Sequence, residues 1–101
     1  MNERRILALL KTGRVLFRYP LKVCFQEGEG DFGVSVPKRL FKRAVRRNLL
    51  KRRVREAWRR SGAKAACAGY DVFIYYVGKQ VEEYERIEKS VVQVMDDLVA
   101  R

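Results

Sequence analysis

The stretch "PKRLFKRAVRRNLLKRRVREAWRR", residues 37–60, has the spacing of a helix and a charge that argues against one. Like charges three or four residues apart repel each other on a helix surface. From Lys38 to Arg60 there are twelve Lys or Arg and one acid, Glu56. On a wheel at about 100° per residue, residues 41 to 60 nevertheless separate into two faces. Leu50, Val54 and Ala57 fall together. Asn48, Lys51, Arg52, Arg55 and Arg59 fall opposite them, at the i, i+3/i+4, i+7 spacing of one face. Arg47 lies between the two. Arg46 and Arg53 flank the apolar side, where long stems snorkel to water, and Leu49 occupies its other flank. The spacing predicts a helix over 41–60 with a core face and an almost wholly cationic face, stopped at Ser61-Gly62.

The net charge of +11 belongs to the segment 38–60 alone. The eleven cations elsewhere in the 101 residues are matched by eleven acids. One basic element on a neutral scaffold is an electrostatic footprint, and its natural partner is a polyanion. Each guanidinium offers a planar donor fork to a phosphate, and Asn48 adds a donor and an acceptor. The competing reading is a solvated face held by ion pairs, for which only Glu56 is available within the helix. A nearly pure positive face favours affinity over base readout. A strand precedes it where a helix-turn-helix DNA reader would have a helix. Both points favour RNA over DNA.

Working outward, "FGVSVP" (32–37) reads as a strand closed by Pro37, and "EGEGD" before it as a turn containing Asp31. Pro20 divides "RVLFRYPLKVCFQ" into strands 14–18 and 21–26. In the second, Leu21, Val23 and Phe25 alternate with Lys22, Cys24 and Gln26. "ERRILALLKT" (3–12) is a short helix with Gly13 as its stop. After the basic helix, "AKAACAGY" is a small-residue connection with room for a helical turn. "DVFIYYVG" (71–78) suits a central strand covered on both faces. "VEEYERIEKSVVQVMDDLVAR" closes the chain as an amphipathic helix, with Glu82, Glu83, Glu85 and Glu88 near its start. The expected fold is an α+β two-layer sandwich, one small mixed sheet with three helices in the order α-β-β-β-α-β-α, forming one domain over 1–101.

Of the strand aromatics, most belong to the core. Phe17, Tyr19 and Phe25 lie on strands with polar alternation and are candidates for stacking on an unpaired base. There is no histidine, which excludes imidazole acid–base chemistry. Cys24 and Cys67 show no CxxC spacing and read as small buried hydrophobes of a reducing compartment. No catalytic constellation is visible. "ILALL" is too short for a signal-peptide core and nothing approaches a membrane span, so the expected location is the cytoplasm.

The basic stretch also resembles a family signature. "RRNLLKRRVREAW", entered through the strand "GVSVPKR" and beginning at "AVRRN", resembles the RNR motif of the bacterial ribonuclease P protein. "DVFIYYVGK" and the final helix resemble that family's last strand and helix, so the likeness runs from about residue 3 to 99. The resemblance implies a left-handed βαβ crossover, against the usual right-handed rule. It implies a protein subunit that assists a catalytic RNA in endonucleolytic removal of the 5′ leader from precursor tRNA. The RNA and its Mg2+ would carry the chemistry, and the protein would supply no catalytic or metal-binding residue. Expected partners are the RNA subunit, in a 1:1 complex with a monomeric protein, and precursor tRNA, with no membrane. The expected RNA-binding residues are Arg46, Arg47, Asn48, Lys51, Arg52, Arg55 and Arg59. The third motif position is Leu49, where the family has arginine. A cleft between sheet and first helix would hold the single-stranded leader. Ile6 and Leu10 stand where the family's first helix has aromatics, leaving Phe17 and Phe25 as the aromatic leader contacts. The alternative is a ribosomal or general structured-RNA-binding protein without an enzymatic role; a DNA-binding regulator is a third reading.

Overall fold

The computed structural model describes Met1–Arg101 and places the strands in one mixed sheet, ordered β1-β2-β4-β3. β1 (Arg14–Arg18) and β2 (Leu21–Glu27) are antiparallel, as are β2 and β4 (Tyr70–Tyr76). β3 (Phe32–Ser35) runs parallel to β4. A parallel pair needs a crossover, and the basic helix α2 (Ala44–Arg60) lies within it. A first helix, α1 (Glu3–Thr12), precedes the sheet, and α4 (Tyr84–Val99) follows it. The small-residue connection forms α3 (Ala63–Ala66), one turn long, so the helices number four where three were expected.

The register explains the layers. Leu16, Val23, Ile74 and Val34 align across the four strands. Because side chains alternate in a strand, Leu21, Phe25, Val72 and Tyr76 share their face. That face meets Leu50, Val54, Ala57 and Trp58 of α2 and Ile87, Val91, Val94 and Leu98 of α4 in one core. Each such aliphatic side chain contributes about 1.5–3 kcal/mol when fully buried. Trp58 stacks on Phe32 at 4.6 Å and 16°. Ser90, buried on α4, donates to the Tyr19 carbonyl at 2.6 Å, and Arg18 pairs with Asp97 at 2.5 Å. These contacts tie α4 to β1.

The opposite sheet face carries α1. Leu9 of α1, Cys24 of β2 and Phe73 of β4 are buried but lie outside the main core. Helices therefore occupy both faces: α2 and α4 on one, α1 on the other. This bears out 71–78 as a central strand covered on both faces, and it adds a partial third layer, α1, to the expected two-layer sandwich. The basic helix begins at Ala44, not 41. Pro37 accepts the N–H groups of Leu40 and Phe41 in a turn, and Phe41 is buried edge-on against Tyr76 at 5.7 Å. No helix is long and apolar enough to cross a membrane.

Candidate nucleic-acid interface

The two faces of α2 are those the wheel predicts. Leu50, Val54 and Ala57 are fully buried, while Asn48, Arg52, Arg55 and Arg59 are exposed and Lys51 is half-buried. Packing of the apolar side leaves the cationic side pointing away from the sheet. Arg46 is also exposed.

The cations divide by what they touch. Arg59 pairs with Glu56 at 2.5 Å, and the bond holds the Glu56 carboxyl below its usual range. Arg53 donates to the Glu82 carbonyl at 2.6 Å, crossing to the segment before α4. Arg60 lies 5.6 Å over the Tyr84 ring. Arg47 is half-buried, and its Nη1 donates to the carbonyls of Phe41 and Lys42, each at 2.8 Å. Arg46, Lys51, Arg52 and Arg55 enter none of the protein's ion pairs. Their mutual repulsion is relieved by no acid of this chain. Leu49, at the motif's third position, is half-buried and does not join the core.

The second surface is on the other face of the sheet. Beside α1 lies a cleft of about 360 Å³, lined by Leu10, Lys22, Ser35, Arg39, Tyr75 and Val77 among others. Phe17 pairs across the ladder with Lys22 and is 55% exposed on this same face. Phe25 is one residue out of phase and 0% exposed, on the core face against Tyr70 at 5.9 Å. It cannot stack on a base, which corrects its expected role. Ile6 is half-buried in α1 and does not line the cleft, whereas Leu10 does. Tyr75, Lys22 and Arg39 were not among the expected cleft residues. The alternation of Asp71, Phe73 and Tyr75 against Val72, Ile74 and Tyr76 is the signal that separates them. Burial raises the Tyr75 phenol above its ordinary pKa, and the neighbouring Cys24 adds to the shift.

α1 is set against this face by a carboxylate. Asp71 is 7% exposed. It accepts from Arg5 of α1 at 3.1 Å and from the backbone N–H groups of Glu29 and Asp31 at 3.1 and 2.9 Å. A Cβ at Gly28 would stand 2.3 Å from the Asp71 carboxyl, so the turn passes this carboxylate only as glycine. The acids here gather around a guanidinium, and no group of three His, Cys, Asp or Glu converges to hold a metal ion. Burial pushes both cysteine thiols up, away from the thiolate a nucleophile requires.

Fold and surfaces together define a small basic α+β protein that presents a comb of cations on one side of its sheet and an aromatic-floored cleft on the other. Residues 2–99 match the family Ribonuclease P. The ribonuclease P protein component of Thermotoga maritima is 36% identical over 89 residues, 85% of this chain and 74% of that protein. The solved Thermotoga maritima RNase P protein, in complex with 1-(4-fluorophenyl)-2-thiourea, superposes with a TM-score of 0.81 at 25% identity, covering 94% of this chain and 95% of that one. The Staphylococcus aureus RNase P protein, at 22% identity, shares the fold with a TM-score of 0.80, over 96% of this chain and 91% of that one. The chain belongs to the ribonuclease P protein component family, the protein subunit in tRNA 5′ leader processing, and an RNA subunit is the partner that family implies.

Proposed function

We propose that the chain docks on the RNA subunit of ribonuclease P through the outer face of α2 and holds the leader of precursor tRNA in the cleft beside α1. The observation that carries this is the row Arg46, Lys51, Arg52 and Arg55, cations with no acidic partner in the protein, joined by Asn48 and Arg59. In the leader cleft, Tyr75 supplies aromatic surface, Lys22 and Arg39 supply charge, and Leu10 supplies an apolar wall; Phe17, exposed on the same face opposite Lys22, extends the aromatic surface. Base–aromatic stacking is tolerant of sequence, as a site for varied leaders must be. The phosphodiester hydrolysis belongs to the RNA and Mg2+ held mainly by it; this chain's residues bind and orient. The subunit acts as a monomer in a 1:1 complex in the cytoplasm. The β3–α2–β4 crossover is read as left-handed, as the family resemblance implies.

A binding experiment separates the two surfaces. Affinity for a ribonuclease P RNA transcript is expected to fall with salt on a log–log slope of several units, as for about five to eight neutralised phosphates. Tyr75→Ala is expected to leave that binding unchanged while reducing the preference of the holoenzyme for precursor over mature tRNA. Loss of RNA-subunit binding in Tyr75→Ala would place the docking surface on the wrong side of the sheet. Co-purification of ribosomal RNA in place of one large RNA would favour a ribosomal role.

A further inference from the structure

We propose that Arg47 is a positioning residue: it holds the Pro37–Arg43 segment so that the cations on that segment, and not Arg47 itself, meet the RNA. This role rests on the α2 docking described above. The segment leaves the end of β3, passes the sheet edge and enters α2, so it touches both surfaces. Arg39 lines the α1 cleft. Lys42 and Arg43, with Arg46, line a separate hollow of about 250 Å³ at the start of α2.

The Pro37 turn and the buried Phe41 ring anchor the start of this segment, but no side-chain cap holds its end. Helices usually begin on a Ser, Thr, Asp or Asn side chain that accepts a first-turn N–H. α2 begins on Arg43, which makes no such bond, and its first turn holds no acid. Instead the turn holds Arg46, a cation at the positive end of the helix dipole. The restraint comes from one turn further on. Arg47 reaches back and donates from one nitrogen to two successive carbonyls, Phe41 and Lys42. Hydrogen bonds from a charged donor are about twice as strong as neutral ones. Together with the buried Phe41 ring they fix the backbone from which Lys42 and Arg43 project. A half-buried guanidinium engaged in this way is poorly placed to meet a phosphate, unlike Arg52 and Arg55 on the open face.

A double-mutant cycle on affinity for a transcript of the cognate ribonuclease P RNA tests the role. In the otherwise unchanged protein, Arg47→Gln is expected to weaken binding about tenfold. In a Lys42→Gln/Arg43→Gln background, the same change is expected to cost less than about twofold, because the cations it positions are gone. Combined with Arg52→Ala, which lies outside the segment, its effect should add in full. An equal loss in all backgrounds would show direct phosphate contact and overturn the proposal. So would a folded Arg47→Gln protein with undiminished affinity. Should Arg47→Gln fail to fold, Arg47→Lys carries the test. It keeps the charge but not the planar fork, so several-fold weaker binding is expected for positioning and unchanged binding for a point-charge contact. If Arg52→Ala also binds normally, the α2 docking reading has failed, and not the assignment of Arg47 alone.

Discussion

Arg52 and Arg55 are exposed and enter no ion pair, so their removal separates binding from folding. Arg52→Ala or Arg55→Ala is expected to shift stability by no more than about 0.5 kcal/mol and to reduce the salt slope of RNA binding by about one unit. Thermal melts and salt titrations read the two effects, and an unfolded variant would mean the faces are assigned wrongly. Leu49 invites the reverse change. Leu49→Arg restores the family's residue beside this face, and is expected to tighten RNA binding and steepen the slope. Tyr76 allows a pH prediction. Burial raises its phenol to about 12, where it donates to the Gln80 carbonyl and accepts from the Glu82 N–H. A raised folded pKa means the folded state holds the proton longer. The stability is complete below about pH 10, the unfolded value, and is lost as pH rises through about 12. Tyr75 and Tyr84 are raised too and act in the same sense. Alkaline denaturation should flatten over this range in Tyr76→Phe, and an unchanged profile would contradict it. At this scale the sequence was half legible. Alternation separates Phe25 from Phe17 and Tyr75 from Tyr76, but which face a helix covers depends on where α1 docks, and that depends on Asp71.

Elements were more legible than their ends. α1, the four strands, α2 and α4 are all present in the expected order, because apolar periodicity reports directly on which side faces the core. The start of α2 moved from 41 to 44 because a Pro37 turn and a buried Phe41 outcompete helix extension, and neither is visible in a charge pattern. The family resemblance placed α1 beside the sheet, but the latch that holds it there was not legible, since Arg5 and Asp71 are 66 residues apart. That latch yields a prediction. Asp71→Asn weakens the Arg5 ion pair and the carboxylate's hold on the Glu29 and Asp31 N–H groups, and Gly28→Ala drives a methyl into the same carboxyl. Each is expected to raise amide exchange in α1 and in the 28–31 turn while leaving α2 and α4 protected. If exchange rises uniformly, α1 is not an independent latch. Leader affinity should fall with α1 order, because Leu10 forms one wall of the cleft.

Across the whole molecule, charge and apolar surface are segregated by the sheet. The core between sheet, α2 and α4 carries the fold, and the 38–60 segment, α2 with the stretch that leads into it, carries the net charge. A row in which Arg46, Lys51, Arg52 and Arg55 enter no ion pair is the electrostatic footprint that suits a polyanion, and an RNA subunit is the partner the family implies. The most direct test is cleavage of precursor tRNA by the cognate RNA subunit at low Mg2+, with and without this protein. Efficient release of the 5′ leader is expected only when the protein is present, with a marked loss for the Arg52→Ala/Arg55→Ala protein. Equal cleavage by the RNA subunit with and without the protein would contradict it.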